Sequence, residues 1–177
     1  MPEPEFKLDT PDGDDRERRI CTTCGFVDYV NPKIVAGSVV EDASGRILMC
    51  RRAIEPRSGF WTLPAGYMEE GESVEAAAAR EAQEEACADI ETLSLLAVYS
   101  IPRISQVQIF FRARLRAPAI AAGPESQAVA LYDWDALPWT ELAFPSVGWA
   151  LQDWRAGAGA EGAPPAMRTQ GEDFSPR

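Results

Sequence analysis

Glu81, Glu84 and Glu85 stand at positions i, i+3 and i+4 of the run Ser73 to Ala86. The alanines of that run have the highest helix propensity, Ser73 is a suitable N-cap, and the spacing predicts one helix with the three carboxylates on one face. Each like-charged i,i+4 pair costs a helix about 0.2–0.5 kcal/mol. A hard divalent cation turns that repulsion into attraction, and clustered carboxylates suit Mg²⁺ or Mn²⁺. Arg80 lies beside the cluster and can orient a carboxylate by a bidentate pair. Glu69, Glu70 and Glu72 fall in the preceding loop, where the helix dipole favours acidic groups. Taken alone, three glutamates on an alanine-rich helix read as a solvated acidic face.

The rest of the composition narrows the chemistry. The chain of 177 residues has no histidine, which removes Ser-His-Asp and Cys-His catalysis and every histidine metal site. Lysine occurs only as Lys7 and Lys33. A base must therefore be a carboxylate, one of these amines, a tyrosine, a thiolate or a metal-activated water. With 17 basic and 28 acidic residues the net charge is −11, which disfavours nucleic-acid backbones and anionic membranes as partners. No apolar run approaches the roughly 20 residues of a membrane span. Met1 to Asp15 is polar and acidic, unlike a secretory signal, so a reducing cytoplasm is expected.

The elements that must position the carboxylates follow from patterning. Ile34 to Val40 reads as a buried strand, with Arg46 to Arg51 its partner across the turn at Asp42 to Gly45. Phe60 to Leu63 is a short aromatic strand stopped by Pro64 and Gly66. Thr92 to Ile101, Val107 to Leu115 and Ala128 to Tyr132 are further strands, and Pro145 to Arg155 is a closing helix. Strands on both sides of a helix, with a second helix at the end, give an α/β class with a mixed sheet. Three segments are expected: residues 1–32, residues 33–155 as the main domain, and 156–177 as a Gly/Ala/Pro-rich disordered tail.

The spacing from Gly66 to Glu85 resembles the Nudix box, G-x5-E-x7-R-E-U-x-E-E-x-G-U, with Gly66, Glu72, Arg80, Glu81, Glu84 and Glu85 on its fixed positions. Ala82 and Cys87 depart from it, standing where a bulky aliphatic and a glycine are usual. Cys87 either strains a left-handed cap by about 1 kcal/mol or lets the helix run on. The resemblance implies a Nudix-type α/β/α sandwich. It implies Glu81, Glu84 and Glu85 as ligands of Mg²⁺ or Mn²⁺, with the Ala65 carbonyl a further one. Glu72 and Arg80 would brace the site, and Gly66 would supply a tight turn. It further implies hydrolysis of a nucleoside diphosphate linked to another group, giving a nucleoside monophosphate and a phosphorylated product. A homodimer is a family-level expectation.

Wider stretches, among them RRICTTCGFVDYVNPKIVAG and LPWTELAFPSV, resemble zinc-ribbon-bearing bacterial Nudix hydrolases and plant FAD and ADP-ribose pyrophosphatases. FAD, ADP-ribose or a related dinucleotide is then the implied substrate. The SQPWPFPxS signature of NADH pyrophosphatases is absent; IPRISQVQIFF follows the box instead. Cys21 and Cys24 form one C-x-x-C where such a ribbon has two. Two thiolates do not close a tetrahedral zinc site, so well under one zinc per chain is expected, through decay of the ribbon or a misassigned start; one zinc shared between two chains is the less favoured alternative. Arg51, Arg52 and Arg57 are candidate phosphate contacts. Tyr99, Phe110, Phe111 and Trp134 are candidate stacking rings, while Trp139, Trp149 and Trp154 read as packing. Glu125 is a candidate base or metal contact, with Ala128 where a second glutamate is expected. The alternative to an enzyme is a nucleotide-binding sensor on the same fold, which would lose a box glutamate; none is lost here. A ribbon-type nucleic-acid adaptor is disfavoured by the charge.

Overall fold

The computed structural model describes residues 3–171. The chain divides into two units, Met1–Pro32 and Lys33–Arg177. In the first, β1 (Phe6–Asp9), β2 (Arg18–Cys21) and β3 (Val27–Asp28) form an antiparallel meander. With little core to bury, polar and cation–π contacts fasten it. Arg18 pairs with Asp14 at 2.9 Å, and the Arg19 guanidinium lies 4.6 Å over the Phe6 ring. Cys21 is buried and Cys24 exposed, both as free thiols. Backbone N–H groups of Cys24 and Thr23 lower the Cys21 pKa. Among the described residues no three acidic, thiol or imidazole groups gather as a metal site.

The second unit is a mixed sheet between two helices. Its strands are β4 (Lys33–Glu41), β5 (Ile47–Arg52), β6 (Trp61–Thr62), β7 (Ala65–Tyr67), β8 (Ile90–Ile101), β9 (Gln106–Leu115), β10 (Ser126–Tyr132) and β11 (Ala166–Thr169). The order is β10-β5-β4-β9-β8-β11, with β6 on β5 and β7 on β4. β4 and β9 run parallel, as do β8 and β11. Strand alternation divides the core. Val39, Met49, Tyr99 and Phe110 pack towards α2 (Pro145–Arg155) with Val147, Trp149 and Leu151. Ala36, Val40, Leu48 and Phe111 point the other way, towards α1 (Val74–Ala86). This is the α/β/α sandwich expected. No helix among the described residues is long and apolar enough to cross a membrane.

The chain beyond Arg155 departs from the expected disordered tail. Residues 156–162 turn back on α2, Ser94 Oγ donates to the Gly159 carbonyl at 2.6 Å, and β11 adds to the edge of β8 in register Arg168 to Tyr99. A buried network holds it: Asp153 accepts from Arg168 Nε at 3.0 Å and from Tyr99 OH at 2.7 Å. Composition misled here because four residues of strand need only one edge and one ion pair, not a hydrophobic run. Residues 172–177 of that tail lie outside the described residues.

Candidate active site

Helix α1 is capped and seated by small residues. Ser73 Oγ accepts from the Ala76 N–H at 3.2 Å. Ala77, Ala78, Ala82 and Ala86 are fully buried against the sheet, so the alanine at the unusual position 82 lets the helix pack closely on Val40 and Leu48. At the far end Cys87 adopts the left-handed region, φ 47°, with its N–H on the Gln83 carbonyl. The cap forms at the strain cost of a non-glycine residue, about 1 kcal/mol. The loop before β10 completes it: Ala121 N–H donates to Ala86 O at 2.9 Å and Gly123 N–H to Glu85 O at 3.0 Å. A Cβ on Gly123 would fall 1.7 Å from the Glu84 carbonyl oxygen.

Arg80 organises the acidic face. Its Nε and Nη2 grip Glu72 at 3.1 and 2.8 Å, and Nη2 also donates to the Tyr67 carbonyl at 3.0 Å. Nη1 lies between two carboxylates, 2.7 Å from Glu81 and 2.9 Å from Glu84. Glu72 Oε1 accepts from the Glu69 N–H at 2.6 Å, which holds the box loop. The Glu72 hydrogen bonds, above all from Arg80, keep its carboxyl below the usual range. Glu81 is 8% exposed and Glu85 7%, whereas the Glu84 side chain is 58% exposed. Burial raises the pKa of Glu81 and pushes that of Glu85 up to about 8. The Ala65 N–H, donating to Glu85 Oε2 at 3.3 Å, opposes that rise; the Glu81 charge adds to it.

Gly66 does not make the tight turn expected of it. It lies inside β7, paired with Ala36, and is absent from the positive-φ glycines. Its role is space: a Cβ there would fall 2.4 Å from the Glu81 carboxylate. Glu125 joins the cluster electrostatically, its charge raising the pKa of both Glu81 and Glu85. Its backbone carbonyl accepts from the Ala53 N–H at 2.8 Å, tying this loop to the end of β5. Ala128 packs against the α2-side core.

The three arginines hold the loop between β5 and β6. Arg51 Nε donates to Gly59 O at 2.8 Å, Arg52 Nε to Pro56 O at 2.9 Å and Arg57 Nε to Ala143 O at 3.1 Å. Arg52 also lies near enough to Glu85 to lower its pKa. Among the candidate stacking rings, Tyr99, Phe110 and Phe111 are 0%, 3% and 4% exposed. They are core, because their strand positions alternate onto one helix-covered face or the other. Trp134 remains half-buried in a cluster with Trp139 and Trp154, at 5.1 and 6.1 Å between centroids. Sequence reasoning passed over Gly123 as a steric requirement and Tyr67 as an exposed ring one residue from Gly66. The Gly-Pro pair at 123–124 signalled a turn, but not what the turn touches.

Glu81, Glu84 and Glu85 are the kind of oxygen donors a hard divalent cation would take; in this structure they do not converge on one point, and Arg80 Nη1 lies between Glu81 and Glu84. Comparison with known proteins gives the family. Residues 31–149 match the NUDIX domain family, and residues 4–30 match the Nudix N-terminal zinc-ribbon family. An ADP-ribose pyrophosphatase of Methanocaldococcus jannaschii is 32% identical over 120 residues, 66% of this chain and 69% of that protein. The NAD-capped RNA hydrolase NudC of Stutzerimonas stutzeri is 31% identical over 105 residues, 59% of this chain but 37% of its own length. The crystal structure of a NUDIX hydrolase from Nitrosomonas europaea superposes with a TM-score of 0.85 at 38% identity, covering 94% of this chain and 96% of that one. The box geometry and a family match over most of the chain lead to one conclusion: this protein belongs to the Nudix hydrolases.

Proposed function

We propose that the protein is a divalent-metal-dependent pyrophosphohydrolase that cleaves a nucleoside diphosphate linked to another moiety, FAD and ADP-ribose being the leading substrates. The observation that carries this reading is the Arg80 guanidinium nitrogen held between Glu81 and Glu84 with Glu85 buried beside them. Glu81, Glu84 and Glu85, with the Ala65 carbonyl, would hold Mg²⁺ or Mn²⁺. Such an ion supplies neutralisation of the diphosphate charge and activation of a water. Arg80 and Glu72 fix the helix against the box loop, so the three carboxylates keep their positions as the charge of the site changes. Glu125, whose charge raises the pKa of Glu81 and Glu85, would be the candidate general base. For the ribbon unit, the two thiols of residues 4–30 do not complete a zinc site.

The test is turnover of FAD, ADP-ribose, NADH, NAD and a diadenosine polyphosphate with Mg²⁺ or Mn²⁺, products being identified by chromatography. The expected result is AMP plus the partner phosphate, lost in Glu84→Gln. Retained ligand binding with no hydrolysis of any of them would favour a sensor instead.

A further inference from the structure

The turn before β10 carries Glu125, and a slip in strand pairing sets how it is held. Along β10, Ala130 and Ala128 pack on the α2 side of the sheet, and Leu131 and Val129 on the α1 side. Unbroken alternation would bring Gln127 to the α1 side and turn Ser126 away from it. The register shifts instead: Ala128 pairs with Arg51, but Ser126 pairs with Arg52. Gln127 is the extra residue of a β-bulge, a device that re-aims side chains beside a site. Its Nε2 donates to Ser58 Oγ at 3.3 Å. Arg52 lies two residues from Cys50, which packs on the α1 side, so Ser126 reaches the side of the sheet that carries Glu85. There its hydroxyl hydrogen-bonds the buried Cys50 thiol, opposing the rise that burial and the Glu85 charge give the thiol's pKa.

Gly123 to Ser126 is a β-turn closed by the Ser126 N–H on the Gly123 carbonyl at 3.0 Å. Pro124 takes the second position, which its fixed φ favours, and Glu125 the third. The Gly123 N–H donates to the Glu85 carbonyl at 3.0 Å, and the Ala53 N–H to the Glu125 carbonyl at 2.8 Å. The turn is thus fastened to the acidic helix at its first corner, and to β5 and its end at the third and fourth. Pinning the backbone leaves Glu125, an exposed residue, only its side-chain torsions to lose.

We infer that Ser126 is a positioning residue: the bulge at Gln127 and the Ser126–Cys50 contact hold the Gly123–Ser126 turn so that the Glu125 carboxylate stays facing Glu81 and Glu85. Without the Ser126 hydroxyl the fourth corner of the turn comes loose. Glu125 then spends less time where a proton can be passed to it, a loss of orientation that slows turnover and leaves substrate binding alone. This inference rests on the hydrolase reading with Glu125 as base, and assigns what holds that base in place.

The test compares Ser126→Ala, Ser126→Thr, Glu125→Gln and the double variant Ser126→Ala/Glu125→Gln with the wild type. Steady-state kcat and KM are measured on ADP-ribose and FAD with Mg²⁺, amide hydrogen exchange is followed in EDTA, and urea unfolding checks the fold. Ser126→Ala is expected to lower kcat about tenfold with KM within about threefold. It should also speed exchange of the Gly123 and Ala53 amides about tenfold, with the β8 amides unchanged. Ser126→Thr, which keeps the hydroxyl, stays within about threefold of the wild type on both readouts. Glu125→Gln lowers kcat about a hundredfold. In that background Ser126→Ala adds no further loss, because it acts through the missing carboxylate. Equal losses of kcat in both backgrounds, a Glu125→Gln as active as the wild type, or unchanged exchange and kcat in Ser126→Ala each overturn the inference and leave the hydrolase reading standing. A wild type that hydrolyses neither ligand overturns the hydrolase reading; exchange at Gly123 and Ala53 still decides whether Ser126 holds the turn.

Discussion

The Glu81 carboxylate occupies the space that a side chain at Gly66 would need, 2.4 Å from where its Cβ would stand. Gly66→Ala therefore pushes that carboxylate aside. Because the displaced group is the end of a flexible side chain, the fold should lose no more than about 1 kcal/mol. The Mg²⁺-dependent rate should fall at least a hundredfold. Steady-state kinetics and urea unfolding on the same preparation separate the two effects.

Gly123 makes a harsher contact. A Cβ 1.7 Å from the Glu84 carbonyl meets backbone that cannot rotate away. Gly123→Ala should displace the loop, break its bond to Glu85 O and cost about 2–3 kcal/mol, with activity falling as well. The urea midpoint reports the first change, and Mn²⁺ affinity by electron paramagnetic resonance the second.

Glu85 makes the metal-free protein sensitive to pH. Its carboxyl titrates near 4.5 when unfolded and near 8 when folded, so between these values the folded state holds the extra proton and stability falls as pH rises. The loss should be on the order of 2–4 kcal/mol from pH 5 to pH 8 in EDTA. Glu85→Gln should flatten that slope, and Mg²⁺ should stabilise the wild type more at pH 8 than at pH 6. Urea unfolding across this range checks all three statements.

Tyr99→Phe removes the hydroxyl that donates to Asp153 at 2.7 Å in the core. A stability loss of about 1–2 kcal/mol is expected, with kcat and KM unchanged, because Arg168 still satisfies Asp153 and the ring touches no substrate. An altered KM would restore Tyr99 as a binding residue.

The sequence by itself determined the catalytic helix, the strands around it and the box residues, because these depend on local periodicity and fixed intervals: Ser73 as cap, alanines against the sheet, carboxylates at i, i+3 and i+4. Tertiary structure alone decided what lies across space. Gly66 and Glu81 are fifteen residues apart in sequence, and their contact exists only once β7 lies under α1. The Gly123 loop closes the end of the same helix from a distant segment, β11 found an edge that its composition gave no sign of, and Tyr99, Phe110 and Phe111 became core because the helices cover both faces of the sheet. A side chain's type sets what it can do. Burial and neighbours set what it does, and those are fixed by packing between segments that no single stretch of chain encodes.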